Sequence, residues 1–318
     1  MEMDERVSTP HGARPSTPRA AMVVVAKWAF MVIAVVLLAW ALATNWADVS
    51  LALGGIGWAP LIWASVAASG ALAFNALSWR AVMRAVGLNA PLGPTASVFF
   101  ISQPGKYVPG AVWPVLAQAE FAKQYHVGRA RALTGSIVAM VVGVAMAGVV
   151  GALGLALAAP GSLLTYWWAV VAAAALVALM APPVLRRVVA LAFKVTRRTE
   201  EPAEIHGRAL LQCAAWSALN WLALGVHAWI LLKPLAHDSP SFALAAGAFA
   251  LAWLVGFLVV IAPAGLGARE AALVVMLAAV ATQPQALAVA LLSRFAMTIA
   301  DAVGLLVGLA LRTGKRPT

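Results

Sequence analysis

Charge is scarce in this chain, and so are the marks of a soluble enzyme. Only 10% of its 318 residues are Asp, Glu, Lys or Arg, where soluble domains carry about a quarter. The chain as a whole is 63% hydrophobic, with a mean hydropathy of +0.91. That excludes a water-soluble globule and puts the chain in lipid. The single cysteine, Cys213, sits inside an apolar run, so no disulfide framework can form. His11, His126, His206, His227 and His237 are scattered, with no H-x-x-x-H or H-E-x-x-H pair for a metal. No G-x-x-x-x-G-K-[ST] loop and no G-x-S-x-G elbow occurs. "GLGARE" follows an apolar helix and not a strand, so it is no nucleotide loop. Catalytic residues, metal and cofactor are therefore all expected to be absent. The rival reading, an enzyme acting on a lipid head group, has only Tyr107, Glu270 and Asp301 to draw on.

The charge that is present is one-sided. A net charge of +11 would suit nucleic acid if the basic residues formed a patch. Instead, 18 of the 22 Lys and Arg residues flank apolar segments, the pattern of cytoplasmic loops, and no nucleic-acid partner is expected. Residues 1–21 are polar and Pro-rich, and read as a disordered cytoplasmic tail. The apolar run 22–44 is longer than a signal-peptide core and is followed by further runs, so it reads as an uncleaved span.

Continuous apolar runs predict spans near 22–44, 58–79, 132–158, 164–183, 209–232 and 286–311. Two more runs are interrupted: 92–120 at "QPGKYVPG" and 241–283 at "APAGLGARE". Pro104, Gly105, Pro109 and Gly110 break the first; Pro263, Gly265 and Gly267 break the second. The loops 45–57 and 159–163 hold no basic residue, whereas 184–208 and 312–318 are rich in them, which puts both termini in the cytoplasm. Segment 92–120 lies between basic loops and so must return to its own side as a re-entrant hairpin. The expected fold is all-α: a polytopic bundle of about six spans plus two broken re-entrant hairpins. Its halves, about 22–158 and 164–311, form one domain as a pseudo-inverted repeat, with a cytoplasmic linker at 184–208 and a tail at 312–318. The alternative is eight spans, with 241–283 crossing fully and returning. Residues 184–208 mix basic and apolar positions and predict an interfacial helix. Two ridges of small residues, Gly135-Ala139-Gly143-Ala147-Gly151 and Ala296-Ala300-Gly304-Gly308, predict close helix contacts.

Three basic residues stand where lipid would exclude them. Lys106 lies in the first break, Arg269 in the second, and Arg294 inside the last span, seven residues before Asp301. Such charges face a protein interior or a wet cavity. Freed backbone groups at the breaks need the same shelter. Lys106, Tyr107 and Arg269 are therefore candidate contacts for an anionic head group, with Lys106 read as unpaired. Glu270 is read as positioning Arg269 or its helix, and Arg294 and Asp301 as bracing the second hairpin. Arg294 and Asp301 are about 10 Å apart along one helix, so each needs another partner, and Arg294 with Glu270 is one such pairing.

At these residues a family resemblance appears. "LVVIAPAGLGAREAALVVML" followed by "ALAVALLSRFAMTIADAVGLLVGLAL", and "SQPGKYVPGAVWPVLAQAEFAKQYHV", resemble the two signatures of the lysylphosphatidylglycerol synthase transmembrane region, the flippase-like domain family. The resemblance covers about 22–311 and is to a stand-alone member, without the synthases' aminoacyl-transfer domain. It implies a bacterial inner-membrane protein that moves an anionic or polyprenyl-phosphate-linked lipid between leaflets. A rival is a non-transporting partner of a glycosyltransferase or lipid-modifying enzyme. Where many relatives carry Arg, this chain has Gln118, which removes one anion contact.

Overall fold

The computed structural model describes residues 43, 46–107, 113–158, 164, 167–195, 203–259 and 267–313. Among them all regular structure is helical. In chain order the helices are α1 (Trp46–Ile56), α2 (Trp58–Ala85), α3 (Leu92–Ser102), α4 (Trp113–Ala122), α5 (Arg129–Ala156), α6 (Trp167–Leu179), α7 (Pro182–Val195), α8 (Gly207–Leu232), α9 (Phe242–Leu258), α10 (Ala268–Leu277) and α11 (Gln283–Thr313). A tight 3-10 turn, Gln103–Tyr107, continues α3.

α2, α5, α8 and α11 are each long and apolar enough to cross a membrane. The chain is a multi-pass membrane protein. Of the six expected spans, these four are single helices, and 22–44 lies outside the described residues apart from residue 43. The span expected at 164–183 differs: α6 stops at Leu179 and the chain bends by 73° into α7. Pro182 and Pro183, at the start of α7, cannot bond back into the preceding turn. The loop expected at 45–57 is also different, since 46–56 is helical and packs on α11.

The two interrupted stretches form short arms. α3 has 11 residues and α4 has 10, about 15 Å each at 1.5 Å per residue, half of a ~30 Å hydrocarbon core. α9 has 17 residues and α10 has 10. α10, at about 15 Å, covers half of that core. In each case the second arm packs against the first.

α2 and α8 form the central pair and run antiparallel. Ser78 Oγ of α2 meets Cys213 O at 3.0 Å and Ser217 Oγ at 2.8 Å, while at the other end His227 Nδ1 of α8 lies 2.9 Å from Ala64 O. The pair joins two cores. One gathers Leu61 and Ala64 with Leu231, Phe249 and Leu277; the other gathers Val82 and Met83 with Leu133, Val189, Phe193 and Leu210. α2 ends in a glycine cap: Gly87 has φ +105° and Leu88 N–H returns to Met83 O at 2.9 Å, closing the last turn. α7 seats Leu185, Val189 and Phe193 in the second core and leaves Arg186, Arg187 and Lys194 exposed, as expected of an interfacial helix.

Around the pair, α5 packs on α9 and α11 packs on α3. Both contacts are close. A Cβ on Gly154 would lie 2.4 Å from Gly247 Cα, and one on Gly308 would lie 3.0 Å from Ser97 O. The expected ridges are only partly contacts. Gly151 meets Leu251 and Gly304 meets Leu72, but Gly143 has open space beside it. A strict four-residue spacing drifts by about 40° per step around a 3.6-residue helix, so one ridge cannot face one neighbour throughout.

Candidate functional site

A cavity of about 330 Å³ opens between the two breaks and the central pair. The first break supplies Lys106 and Tyr107, α10 supplies Arg269, and α11 supplies Arg294 and Asp301. Chain reversal at the first break depends on a close approach. A Cβ on Gly105 would sit 3.0 Å from Trp113 Cβ and 3.2 Å from Pro114. Pro104, in the same turn, has no N–H to continue the helix. Pro109, Gly110, Pro263 and Gly265 lie outside the described residues.

Two charge groups result. In the first, Lys106 Nζ contacts both carboxylate oxygens of Asp301, at 2.8 and 2.7 Å, and Tyr107 OH donates to Oδ2 at 2.6 Å. Asp301 is buried. This corrects the reading of Lys106 as an unpaired charge: its partner is 195 residues away, a distance only the fold closes. In the second group, Glu270 bonds Arg294 Nε through one oxygen and accepts Gly267 N–H through the other, at 2.7 Å. Gly267 has φ +83°, a conformation suited to glycine. Glu270 thereby ties the start of α10 to α11. Arg294 and Asp301 each have a separate partner, as their spacing demands.

Arg269 is held differently. It is buried, with its guanidinium carbon 4.7 Å from the centre of the Phe249 ring. It donates to Ser293 Oγ at 3.3 Å and to Met297 Sδ at 3.2 Å. Ser293 Oγ lies 2.9 Å from His227 Nε2. Because a carbonyl only accepts, the bond to Ala64 O gives Nδ1 the proton; Ser293, accepting from Arg269, can then donate to Nε2. Among the described residues, no carboxylate bonds Arg269. Among the described residues the cavity wall carries Lys106, Arg269 and Arg294 with Asp301, while Glu270 pairs with Arg294 from outside the lining, and Arg269 is the most buried of the three cations.

Ser293 and His227, which orient Arg269, carry no sequence signal for that role, since His227 reads as a packed histidine. Gln118 is buried and donates to Ser102 Oγ at 3.2 Å, bridging α4 to α3. Among the described residues no cluster of three His, Cys, Asp or Glu side chains could hold a metal. What remains is a preformed, partly apolar chamber with an excess cation inside a membrane bundle.

A family model described as the lysylphosphatidylglycerol synthase TM region matches residues 24–304. The chain belongs to this family. No curated protein matches it. The matched range of this lysylphosphatidylglycerol synthase TM region takes in both breaks, the central pair and every charged residue of the cavity.

Proposed function

We propose that this protein moves an anionic lipid, a phospholipid or a polyprenyl-phosphate-linked intermediate, between the leaflets of a bacterial cytoplasmic membrane. The observation that carries the proposal is Arg269: a buried guanidinium lining a cavity, oriented by Ser293 and Phe249, with no carboxylate among its described partners. Its planar fork suits a phosphate. Lys106 and Arg294 add positive charge to the same cavity.

The halves act as inverted repeats in this proposal. Ser136, Ala139, Met140 and Gly151 of α5 recur as Ser293, Ala296, Met297 and Gly308 of α11 at one constant offset. The recurring serines do matching work. Trp79 Nε1 of α2 donates to Ser136 Oγ at 3.0 Å, and His227 Nε2 of α8 meets Ser293 Oγ at 2.9 Å. Each recurring glycine abuts the first hairpin arm of the other half, Gly151 on α9 and Gly308 on α3. The equivalent spans α2 and α8 run antiparallel, which supports an inverted arrangement around a central site. Arg80, Arg84, Arg129, Arg131 and Arg208 all fall at the same end of α2, α5 and α8. That end is assigned to the cytoplasm, with both termini there.

The test is lipid exchange in proteoliposomes, using labelled phosphatidylglycerol and a labelled polyprenyl phosphate. Arg269→Ala removes a charge-assisted hydrogen-bond donor and should slow exchange by roughly 10- to 100-fold; Arg269→Lys should fall between. A folded Arg269→Ala protein with undiminished exchange of both lipids overturns the proposal.

A further inference from the structure

We infer that Asn75 and Asn220 form a second subsite in this cavity, one that binds hydroxyl groups, and that the head group it takes is a phosphodiester of a cyclic polyol such as a hexose or inositol. This rests on the cavity being a lipid-phosphate site. The two asparagines sit on the central pair, Asn75 on α2 and Asn220 on α8, and both line the cavity. The antiparallel register, with Ser78 beside Ser217 and Ala64 beside His227, places both near the middle of the crossing.

Neither carboxamide makes a hydrogen bond to any described residue, and neither is shut away from the cavity space: Asn75 is exposed and Asn220 half-buried. In membrane bundles a mid-span asparagine ordinarily bonds across to a neighbouring helix. Here Ser78, Cys213 and Ser217 already make that link. The two amides are left facing the chamber, where an apolar occupant would desolvate them without compensation.

A carboxamide both donates and accepts. An ionised phosphate accepts only, and an acyl chain does neither. A hydroxyl does both, so a polyol satisfies two amides fully. The adjoining wall suits its carbon skeleton. Trp221 and Trp253 meet edge to face with centroids 5.0 Å apart, and Trp253 stacks on Phe257 at 5.2 Å. Trp221 is buried and donates through Nε1 to Gly143 O at 2.9 Å, so it backs the half-buried rings of Trp253 and Phe257, which line the cavity as a surface for C–H groups. The volume agrees, since 330 Å³ lies within the ~300–1,000 Å³ range of small-molecule pockets, and a phosphate of five heavy atoms leaves most of it empty.

The test is binding of water-soluble dioctanoyl phosphatidylinositol and dioctanoyl phosphatidic acid to the purified full chain in detergent, followed by calorimetry. Wild type should prefer phosphatidylinositol. Asn75→Leu and Asn220→Leu should each weaken its binding by roughly threefold to tenfold, the loss of one neutral hydrogen bond, with phosphatidic acid unchanged. Leu is at home in a span, and a melting curve for each variant confirms that it is folded. Equal losses for both lipids, no wild-type preference, or no binding of either overturns the inference. Arg269→Ala separates the two ideas: it should weaken both lipids alike. If it weakens neither while the asparagine effects persist, the phosphate reading fails and the hydroxyl subsite stands.

Discussion

Lys106 and Asp301 hold the first break against the last span, and this bond makes Lys106 structural as well as a candidate phosphate contact. Lys106→Ala leaves a buried carboxylate with Tyr107 as its remaining partner. Breaking a buried pair typically costs about 3–5 kcal/mol. The Lys106 side chain is 31% exposed, so a smaller loss, about 1–3 kcal/mol, is expected. The double change Lys106→Met with Asp301→Asn should recover most of it in thermal unfolding; a Lys106→Ala protein as stable as wild type would dissolve the pair's structural role. Arg294 and Glu270 form a comparable pair, whereas Arg269 stands outside both groups. Arg269→Ala should hold its melting temperature, because Glu270 keeps Arg294 and Gly267. Arg294→Met should lower it, and adding Glu270→Gln should restore it. At this scale the sequence marked the charges that lipid forbids, Lys106, Arg269 and Arg294. It left their partners open, because Lys106 and Asp301 are 195 residues apart and no local rule links them.

Helix ends and helix contacts divide between legible and illegible. Of the predicted break residues, Pro104 and Gly105 stand in the turn that ends α3 and Gly267 stands with positive φ at the start of α10, since a proline cannot donate and a glycine tolerates positive φ. Basic and apolar residues at helical spacing likewise announced α7. The small-residue ridges were a poorer guide. Gly143 belongs to the predicted ridge yet has open space where a Cβ would stand, while Gly154 lies off it and makes the closest approach to another helix's backbone, at Gly247. Gly154→Ala should therefore push α5 from α9 and reduce the yield of folded protein in detergent, an overpacking of about 1–3 kcal/mol. Gly143→Ala should leave the yield unchanged. Equal yields would mean that the α5–α9 contact gives way without strain. Which neighbour a small residue meets depends on helix rotation and crossing point, and neither is encoded in a four-residue spacing.

For the whole molecule, orientation is the quantity open to direct measurement. With Cys213 replaced by Ser, a cysteine at exposed Asp238 should react with an impermeant thiol reagent added to intact cells, and a cysteine at exposed Glu204 or Arg84 should react only after lysis. Labelling at Glu204 in intact cells would invert the assignment. The sequence by itself determined that this is an all-helical membrane protein, where four of its spans fall, and which residues are anomalous. Hydropathy over twenty residues and the backbone chemistry of Pro and Gly are local properties, readable in order along the chain. Only the tertiary structure decided that the two breaks open onto one cavity, that Asp301 takes Lys106 and Glu270 takes Arg294, and that Arg269 is left over beside Asn75 and Asn220. Those facts depend on α2 and α8 crossing antiparallel with α3 against α11 and α9 against α5. Such packing is fixed by the sum of many weak contacts between distant segments, and no single stretch of the chain carries it.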